Sequence, residues 1–321
     1  MSRVLQFLVI ALSVGASQGL EVERINVKDY LRGAPQLKEW TCDAQEDADL
    51  VLRHNSTVRE SRTLGFVMLA IGEKSLNESY HTVQCLHEAF DEAGQNVGVQ
   101  VFEGSLADVG CTVDTPAMYG TLEAQRCFIQ IQRVKFLLDR SAPFDIVMVI
   151  DTDMWAYPSP HSKDLIPKIF SKFSVWTSVD LMLTIVPQFM TTREIGTLHD
   201  SFRWLNSGML LFRKSDATDR FFACAMQKMN QAEDDNAAAV RAGTRNHLPH
   251  DQDIINNMID SGPFLSVGLK TLGEDWQCRG IGNPADITEN NFCVFVHRHL
   301  TAGKSDHATC PFPYATWEER P

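Results

Sequence analysis

The chain has 321 residues, of which 44% are hydrophobic and 22% are charged, and its formal net charge is -12. This length suits one large α/β domain or two small ones, and the composition is that of an ordinary globular protein. The acidic balance, without a long basic run, argues against nucleic acid as the partner.

A short apolar segment opens the chain. Arg3 is followed by a mostly apolar run from Val4 to Ala16 and then by small residues, which is the layout of a secretory signal peptide. We expect the signal peptide to cover residues 1–19. An uncleaved signal anchor is the alternative, although the apolar run is shorter than the about 20 residues that cross a bilayer. The expected location is the secretory pathway, either the Golgi lumen or the outside of the cell, and a membrane is a partner only if the segment stays as an anchor.

Eight cysteines follow this segment, and none of them forms a Cys-x-x-Cys pair. In an oxidising compartment we expect disulfide bonds, but the spacing leaves their connectivity open. The absence of Cys-x-x-Cys pairs argues against a zinc site or a thioredoxin-type centre. The triplets that begin at Asn55 and Asn77 match the acceptor pattern for N-glycosylation, which agrees with a secreted glycoprotein.

Strands and helices alternate in the first half of the predicted fold. Residues 20–60 are polar and acidic, and we interpret them as a stem or irregular lead-in. The elements that follow are a strand at 64–72, a helix at 79–94, a strand at 97–104, a helix at 122–140 and an apolar strand that ends at Asp151. This order is typical of a doubly wound sheet, in which ligands bind beyond the carboxyl ends of the strands.

The second half continues with less regular patterns. The predicted elements are strands at 174–183 and 207–214, a helix at 216–233, a mobile loop at 234–246 and a short strand at 293–297. The loop directly precedes a polar motif that begins at His250.

Two carboxylates, Asp151 and Asp153, follow the apolar strand Ile146–Ile150. Two like charges so close together indicate that a cation lies between them. Carboxylates are ligands for Mg²⁺ and Mn²⁺, and such an ion would hold a diphosphate and stabilise its charge as it leaves. A solvated acidic turn that caps the next segment is the alternative interpretation.

Three further segments follow in a fixed order, namely WLNSGMLLFR from Trp204, HDQDIINNM from His250 and VFVHRHLTAGK from Val294. Together with the Asp-x-Asp motif, they resemble the GT-A glycosyltransferases that use nucleotide-diphospho-sugars. The chain looks most similar to the nucleotide-diphospho-sugar transferase family and its glycogenin-like and plant cell-wall relatives. The resemblance covers residues 62–306 and implies a single catalytic domain at 61–315, built on a Rossmann-like mixed central sheet flanked by helices.

The resemblance implies a metal site made by Asp151, Asp153 and His297, with His299 as the alternative histidine. Imidazole suits Mn²⁺ better than Mg²⁺, so Mn²⁺ is the expected ion and Mg²⁺ the alternative. A surface histidine at the end of a strand is the other interpretation of His297.

The resemblance also implies the residues that bind the donor. Asp151 would contact the donor ribose as well as the metal, and Gly303 would let Lys304 reach the diphosphate. Either Arg133 or Lys135, both on the helix before the Asp-x-Asp motif, would contact the donor, and ordinary surface charges are the alternative for these basic residues.

Two more motifs are expected beside the transferred sugar. Asn206, Ser207 and Gly208 match the family's Asn-Ser/Thr-Gly turn, whose amide suits sugar hydroxyls and whose small residues let the sugar approach the backbone. Asp251 and Gln252 match the Asp-Gln pair of the family. We predict Asn206, Asp251 and Gln252 as catalytic, and Ser207 and Gly208 as donor-binding. A plain turn and a helix N-cap are the alternatives.

The expected function is therefore transfer of a sugar from a nucleotide-diphospho-sugar, with a UDP-sugar as first choice, to a carbohydrate or glycoprotein acceptor. The relatives retain the anomeric configuration, and their leaving diphosphate helps to deprotonate the acceptor, so no general base is assigned. The nucleotide base is expected near Tyr80 and the strand Phe66–Ile71.

Two other functions compete with this one. A HAD-type phosphatase also has a strand followed by Asp-x-Asp, but Met154 and Trp155 follow the motif here, and a later GDxxxD-like segment is missing. A secreted, non-catalytic sugar-binding protein on the same fold is the other possibility, since fold does not fix function. The presence of every motif in the set favours the enzyme.

Overall fold

The structure, a computed structural model, describes residues 20–33, 36–42, 63–90, 97–116, 120–156, 169, 181–185, 205–244, 249–260, 267, 269–272, 277–279 and 295–297. Its strands are β1 (Glu21–Asn26), β2 (Leu64–Ile71), β3 (Val97–Gly104), β4 (Ile146–Ile150), β5 (Met154–Ala156), β6 (Leu181–Ile185), β7 (Leu205–Arg213), β8 (Leu269–Leu272), β9 (Gln277–Arg279) and β10 (Phe295–His297). Its helices are α1 (Val27–Gly33), α2 (Gly72–Phe90), α3 (Leu122–Ser141), α4 (Asp216–Arg241) and α5 (Asp251–Asp260), with a 3₁₀ turn at Leu106–Val109. Within these ranges, none of the helices is long and apolar enough to cross a membrane.

The central sheet has seven strands in the order β1-β3-β2-β4-β7-β6-β8. The strands β1, β3, β2 and β4 are parallel to one another, whereas β7 is antiparallel to both of its neighbours. A second sheet of three strands has the order β5-β10-β9. The predicted mixed α/β sheet flanked by helices is therefore confirmed.

Apolar side chains project from both faces of the central sheet because successive residues of a strand point in opposite directions. On one face, Phe66 of β2 stacks on Phe90 of α2 with 5.5 Å between ring centroids. On the other face, Val67 of β2 belongs to a cluster that contains Phe136 of α3 and Phe222 of α4. Full burial of each such side chain contributes about 1.5–3 kcal/mol, so helices on both faces fix the sheet and its strand ends.

The helix α4 is longer than predicted. The segment 234–241, predicted as part of a mobile loop, instead continues the helix to Arg241. Asn236 lies within it, is buried, and donates a hydrogen bond of 2.8 Å to Gln125 of α3. Alanine has the highest helix propensity, and the run Ala237–Ala239 therefore favours helix over loop. The loop prediction was wrong for this segment.

The predicted lead-in at residues 20–60 belongs in part to the fold. β1 is an edge strand that pairs in parallel with β3, and α1 follows it. Downstream, the indole of Trp40 donates to Asp219 of α4 at 2.6 Å. Residues before position 61 therefore take part in the fold. The polar composition that suggested a stem is that of an edge strand whose residues are exposed or only partly buried.

Disulfide bonds connect Cys42 with Cys224 and Cys111 with Cys127, and Cys85 is disulfide-bonded as well. The prediction that cysteines pair is confirmed, and two of the pairings, which the sequence left open, are now defined. The first bond fastens the segment before residue 43 to α4, which agrees with the place of β1 in the sheet.

Candidate functional site

The Asp-x-Asp motif lies on a tight turn between β4 and β5. The backbone N–H of Asp151 donates to the carbonyl of Gly208 on β7 at 2.9 Å, and the N–H of Met154 donates to the carbonyl of Asp151 at 3.0 Å. The side chain of Asp151 is 38% exposed, and Asp153 is partly exposed, although all five residues of β4 are buried. The sheet thus presents two carboxylates at the carboxyl end of β4, as the sequence predicted.

Lys135 of α3 reaches this end of the sheet. Its ammonium lies 3.0 Å from Asp151 Oδ1 and 2.8 Å from Asp251 Oδ2, and it also donates to the carbonyl of Ser207 at 3.3 Å. Burial alone would lower the pKa of Lys135, but the two carboxylates raise that pKa above its usual value. Lys135 therefore stays charged and connects the Asp-x-Asp turn to α5.

Arg133, the other basic residue predicted to contact the donor, lies elsewhere. Its guanidinium forms an ion pair with Glu233 of α4. Residues two positions apart on a helix do not share a face, so only one of Arg133 and Lys135 can point to the end of β4. Between these two residues, the structure places Lys135 in the site and Arg133 between two helices.

Asp251, at the start of α5, is the most connected side chain of the site. Its Oδ1 accepts hydrogen bonds from Ser207 Oγ at 3.0 Å, from the ring of His250 at 2.9 Å and from the Gln252 N–H at 2.8 Å, while its Oδ2 binds Lys135. Burial alone would raise the pKa of Asp251, but Lys135 and the hydrogen bond with His250 hold it well below its usual range. With 2% of its side chain exposed, this carboxylate holds its neighbours in place.

Asn206, Ser207 and Gly208 are the first residues of β7 after Leu205, not a turn before a strand. Asn206 Oδ1 accepts a hydrogen bond from the Gly208 N–H at 2.8 Å, and the Ser207 N–H donates to Gln252 Oε1 at 3.2 Å. The predicted turn was therefore wrong, because the pairing of β6 with β7 shifts register opposite this segment and keeps it in the sheet. The structure brings the motif into contact with Asp251 and Gln252 through Ser207.

Helix α2 holds the Asp-x-Asp turn from the other side. Thr82 Oγ1 donates to the carbonyl of Thr152 at 2.5 Å, and Thr152 Oγ1 donates to Glu78 at 3.2 Å. Burial raises the pKa of Glu78, and the nearby charge of Asp153 raises it further, while Lys74 lowers it. No sequence motif pointed to Glu78 and Thr82. Their one visible feature is an i, i+4 spacing, which places them on the same face of a helix.

Asp139 of α3 lies one helical turn after Lys135 and is 1% exposed. Neither oxygen of its carboxyl group has a hydrogen-bond partner in the described part of the chain. It lines a cavity of about 110 Å³ beneath the site, together with Lys135, Asp151, His250 and Asp251. Burial raises the pKa of Asp139 to about 8, although the charge of Lys135 acts in the opposite direction. Asp139 is therefore mostly protonated at neutral pH.

The remaining predicted ligands are described only in part. β10 is antiparallel to β5, with His297 opposite Met154, so the backbone of His297 lies beside the Asp-x-Asp turn. The structure describes the backbone of His297 but not its side chain, and His299, Gly303 and Lys304 lie outside the described residues. Among the described side chains, no group of three His, Cys, Asp or Glu residues is arranged to hold a metal ion.

A larger cavity of about 640 Å³ opens at the carboxyl ends of β1, β2 and β3. The cavity is lined by residues that end or directly follow these strands, namely Asn26, Gly72 and Ser105, and by Asp114. The predicted base-binding strand, β2, therefore ends at this cavity. Tyr80, which was predicted in the same region, instead packs its ring under the guanidinium of Arg24 at 3.8 Å.

No family model matches the chain, and no curated protein matches it by sequence. The similar solved structures include the galactosyltransferase LgtC in complex with donor and acceptor sugar analogs, which is 15% identical over 73% of this chain and 86% of its own length, with a TM-score of 0.41.

Two others are similar to the same degree. A glycosyltransferase involved in the glycosylation of the major capsid of PBCV-1 is 12% identical over 75% of this chain and 94% of its own, with a TM-score of 0.43. Mouse xyloside xylosyltransferase 1 is 12% identical over 74% of this chain and 97% of its own, with a TM-score of 0.38. All three are glycosyltransferases, the class that the motifs predicted. Their similarity to this chain is too low to add to a functional assignment, which rests on the site itself.

Proposed function

We propose that the protein is a metal-dependent glycosyltransferase that moves a sugar from a nucleotide-diphospho-sugar to a hydroxyl group of a carbohydrate or glycoprotein. One observation carries the proposal. Four residues from distant parts of the sequence meet in one cluster of ion pairs and hydrogen bonds at the carboxyl end of β4. They are Lys135 of α3, Asp151 after β4, Ser207 of β7 and Asp251 of α5. Asp151, Ser207 and Asp251 belong to the segments that resemble the glycosyltransferase motifs, and Lys135 is one of the two basic residues expected to contact the donor.

The donor is proposed to lie across the carboxyl ends of the parallel strands, where ligands of such sheets collect. Its diphosphate would lie over the turn that carries Asp151 and Asp153, and its nucleoside would extend towards the 640 Å³ cavity at the end of β2, the strand next to β4. A UDP-sugar remains the first choice of donor.

A divalent cation is proposed at this turn because Asp151 and Asp153 supply hard oxygen ligands. A third carboxylate, Glu78 of α2, lies next to the turn and accepts a hydrogen bond from Thr152 at 3.2 Å. Asp151, Asp153 and His297 would hold the ion, with Mn²⁺ as first choice and Mg²⁺ as the alternative. The bound ion would supply positive charge to the departing diphosphate.

The transferred sugar is proposed to lie beside β7 and the start of α5. Gln252 accepts the Ser207 N–H through Oε1, so its amide NH₂ group is left to donate to a sugar hydroxyl. Asp251 keeps Lys135 charged and oriented at this position. We propose retention of the anomeric configuration, as in the family that the motifs resemble.

The compartment is proposed to be the lumen of the secretory pathway or the outside of the cell. Disulfide bonds persist mainly in oxidising surroundings, and the structure contains Cys42–Cys224 and Cys111–Cys127.

A donor screen tests the proposed function. Purified protein is mixed with Mn²⁺, a panel of UDP- and GDP-sugars and simple glycosides as acceptors, and the release of free nucleotide is measured. We expect release from at least one nucleotide-sugar, its loss in EDTA and its loss in Asp153→Ala, whereas Asp234→Ala, an exposed position on α4, keeps full activity. Release that persists in EDTA would refute the metal, and no release from any donor would refute the function.

A further inference from the structure

We propose that His250 is a further catalytic residue, which accepts the proton of the acceptor hydroxyl and is oriented for this by Asp251. The inference rests on the proposed function and assigns the acceptor proton to a protein side chain, whereas the resemblance assigned no general base and gave this proton to the departing diphosphate. It concerns only where the acceptor proton goes.

The ring of His250 is held by two contacts. Its Nδ1 lies 2.9 Å from Asp251 Oδ1, and its ring packs edge-on against Phe128 of α3 with 5.0 Å between ring centroids. Asp251 is itself fixed by Lys135 and Ser207. The imidazole is therefore positioned by a carboxylate that is itself held by two further side chains, and a group that transfers a proton must be positioned in this way.

The hydrogen bond to Asp251 also selects the tautomer. A carboxylate accepts, so Nδ1 carries the hydrogen, and in the neutral ring Nε2 keeps its lone pair. Within the described residues, no partner of Nε2 is found. The same division of roles, in which a buried carboxylate orients a histidine and the far nitrogen takes a proton, operates in serine hydrolases.

Exposure distinguishes the two members of the pair. The side chain of His250 is 44% exposed, whereas that of Asp251 is 2% exposed. A substrate can therefore reach the ring but not the carboxylate. Because His250 and Lys135 bind the two oxygens of the same carboxylate, the ring lies beside the proposed donor site.

The step that His250 assists is a group transfer. The acceptor oxygen forms a bond to the anomeric carbon of the donor sugar, and its proton passes to Nε2 of His250. The bond between the anomeric carbon and the diphosphate oxygen breaks, and its electron pair leaves with the diphosphate. The imidazolium that forms is stabilised by the charge of Asp251, and it returns its proton to solvent through its exposed edge.

The groups around the ring determine its pH range. Partial burial would lower the pKa of His250, but the hydrogen bond and charge of Asp251 and the charge of Asp253 raise it, and Lys135 acts against them. The pKa therefore lies above the ordinary value of 6.5, and the neutral ring that can accept a proton becomes the major form only when the pH exceeds this raised pKa. The rate of transfer should rise with pH through this range.

The decisive variant is His250→Asn, because the Asn amide can still donate to Asp251 but cannot take a proton. With the most active nucleotide-sugar of the panel and a glycoside acceptor, we expect the rate to fall by about 10²–10⁴-fold, the usual contribution of a general base. The rise of the wild-type rate with pH should disappear in this variant. The affinity for UDP with Mn²⁺ and the thermal midpoint should stay at wild-type values, and Asn257→Ala, exposed on the same helix, should change nothing.

The outcomes separate the two proposals. If the wild-type enzyme transfers sugar and His250→Asn transfers it equally fast, or keeps the pH-dependent rise, the role of His250 is wrong and the proposed function stands. A variant that loses UDP affinity together with the rate would show a role in donor binding and would also overturn the inference. If wild-type protein transfers no sugar at all, both proposals fail.

Discussion

Lys135 is the residue that joins the parts of the site, because its ammonium bridges Asp151 and Asp251. Both the ammonium and the Asp251 carboxylate are largely removed from solvent, with 12% and 2% of their side chains exposed. A buried ion pair of this kind adds little net stability, but removal of one partner leaves an uncompensated charge.

We therefore expect Lys135→Met to abolish activity and to lower the free energy of unfolding by about 3–5 kcal/mol. Denaturant unfolding followed by fluorescence measures the loss. The matched control is Lys228→Met, since Lys228 is an exposed lysine on α4. It should change stability by no more than about 0.5 kcal/mol. Equal stability of the two variants would show that Lys135 is not the buried counterion described here.

Asp139 predicts an unusual dependence of stability on pH. Its pKa is raised from 3.8 to about 8, chiefly by burial, so the folded state holds a proton that the unfolded state releases. The stability from this group is complete below pH 3.8 and is lost as pH rises to about 8. Within this window, each decrease of one pH unit should lower the unfolding equilibrium constant about tenfold, which favours the folded state.

Asp139→Asn should remove that contribution. Unfolding measured at several pH values between 4 and 8 should show a flatter profile for the variant than for the wild type. Asp234→Asn, at an exposed position on α4, should leave the wild-type slope unchanged. Parallel profiles of wild type and Asp139→Asn would mean that Asp139 is ionised in the folded protein.

At the scale of elements, α2 supports the Asp-x-Asp turn through Thr82, which is fully buried and donates to the Thr152 carbonyl. Thr82→Val keeps the shape of the side chain but removes the donor, and a buried acceptor left unsatisfied costs about 1–3 kcal/mol. Because this carbonyl lies between the two carboxylates, we expect the Mn²⁺ concentration for half-maximal activity to rise severalfold. The control is Thr82→Ser, which keeps the hydroxyl and should behave like wild type. If Thr82→Val and Thr82→Ser require the same Mn²⁺ concentration, the proposed role of α2 is wrong.

The elements differ in how well the sequence predicted them. β3 and the start of α3 were predicted at their observed residues, since apolar periodicity reports burial directly. β1 was missed because an edge strand buries little of its surface, and the extension of α4 was missed because its acidic and alanine-rich sequence lacks a strong apolar stripe. In both cases a tertiary contact decides the structure.

The site shows the same division. The carboxyl end of β4 and the motifs at Ser207 and Asp251 were predictable because each follows a recognisable pattern in the sequence. The choice between Arg133 and Lys135 was not, since it depends on which side of α3 faces β4. His250 stands directly before the Asp-Gln pair, and that position was its one visible feature. Asp139 matters only through the cavity beneath the site, which no local pattern reveals.

At the scale of the whole molecule, the disulfide Cys42–Cys224 joins the N-terminal segment to α4 across a sequence separation of 182, whereas Cys111–Cys127 closes a separation of 16. A cross-link stabilises mainly by restricting the unfolded chain, and more so for a longer loop. We expect the double variant Cys42→Ser, Cys224→Ser to lose about 5 kcal/mol of unfolding free energy and Cys111→Ser, Cys127→Ser about 3 kcal/mol. Chemical denaturation of both variants measures the order, and the reverse order would contradict this account.

The central claim is that the Asp-x-Asp turn holds a divalent ion and, through it, the diphosphate of a nucleotide donor. Calorimetric titration of UDP, and of GDP in parallel, with and without Mn²⁺ tests this claim most directly, because it needs neither the donor sugar nor the acceptor. We predict that one of the two nucleotides binds wild-type protein in the presence of Mn²⁺, that EDTA abolishes binding, and that Asp153→Asn abolishes it without changing the thermal midpoint. Two results would contradict the claim. One is nucleotide binding that is equally strong without Mn²⁺ or in Asp153→Asn, and the other is that neither nucleotide binds wild-type protein in the presence of Mn²⁺.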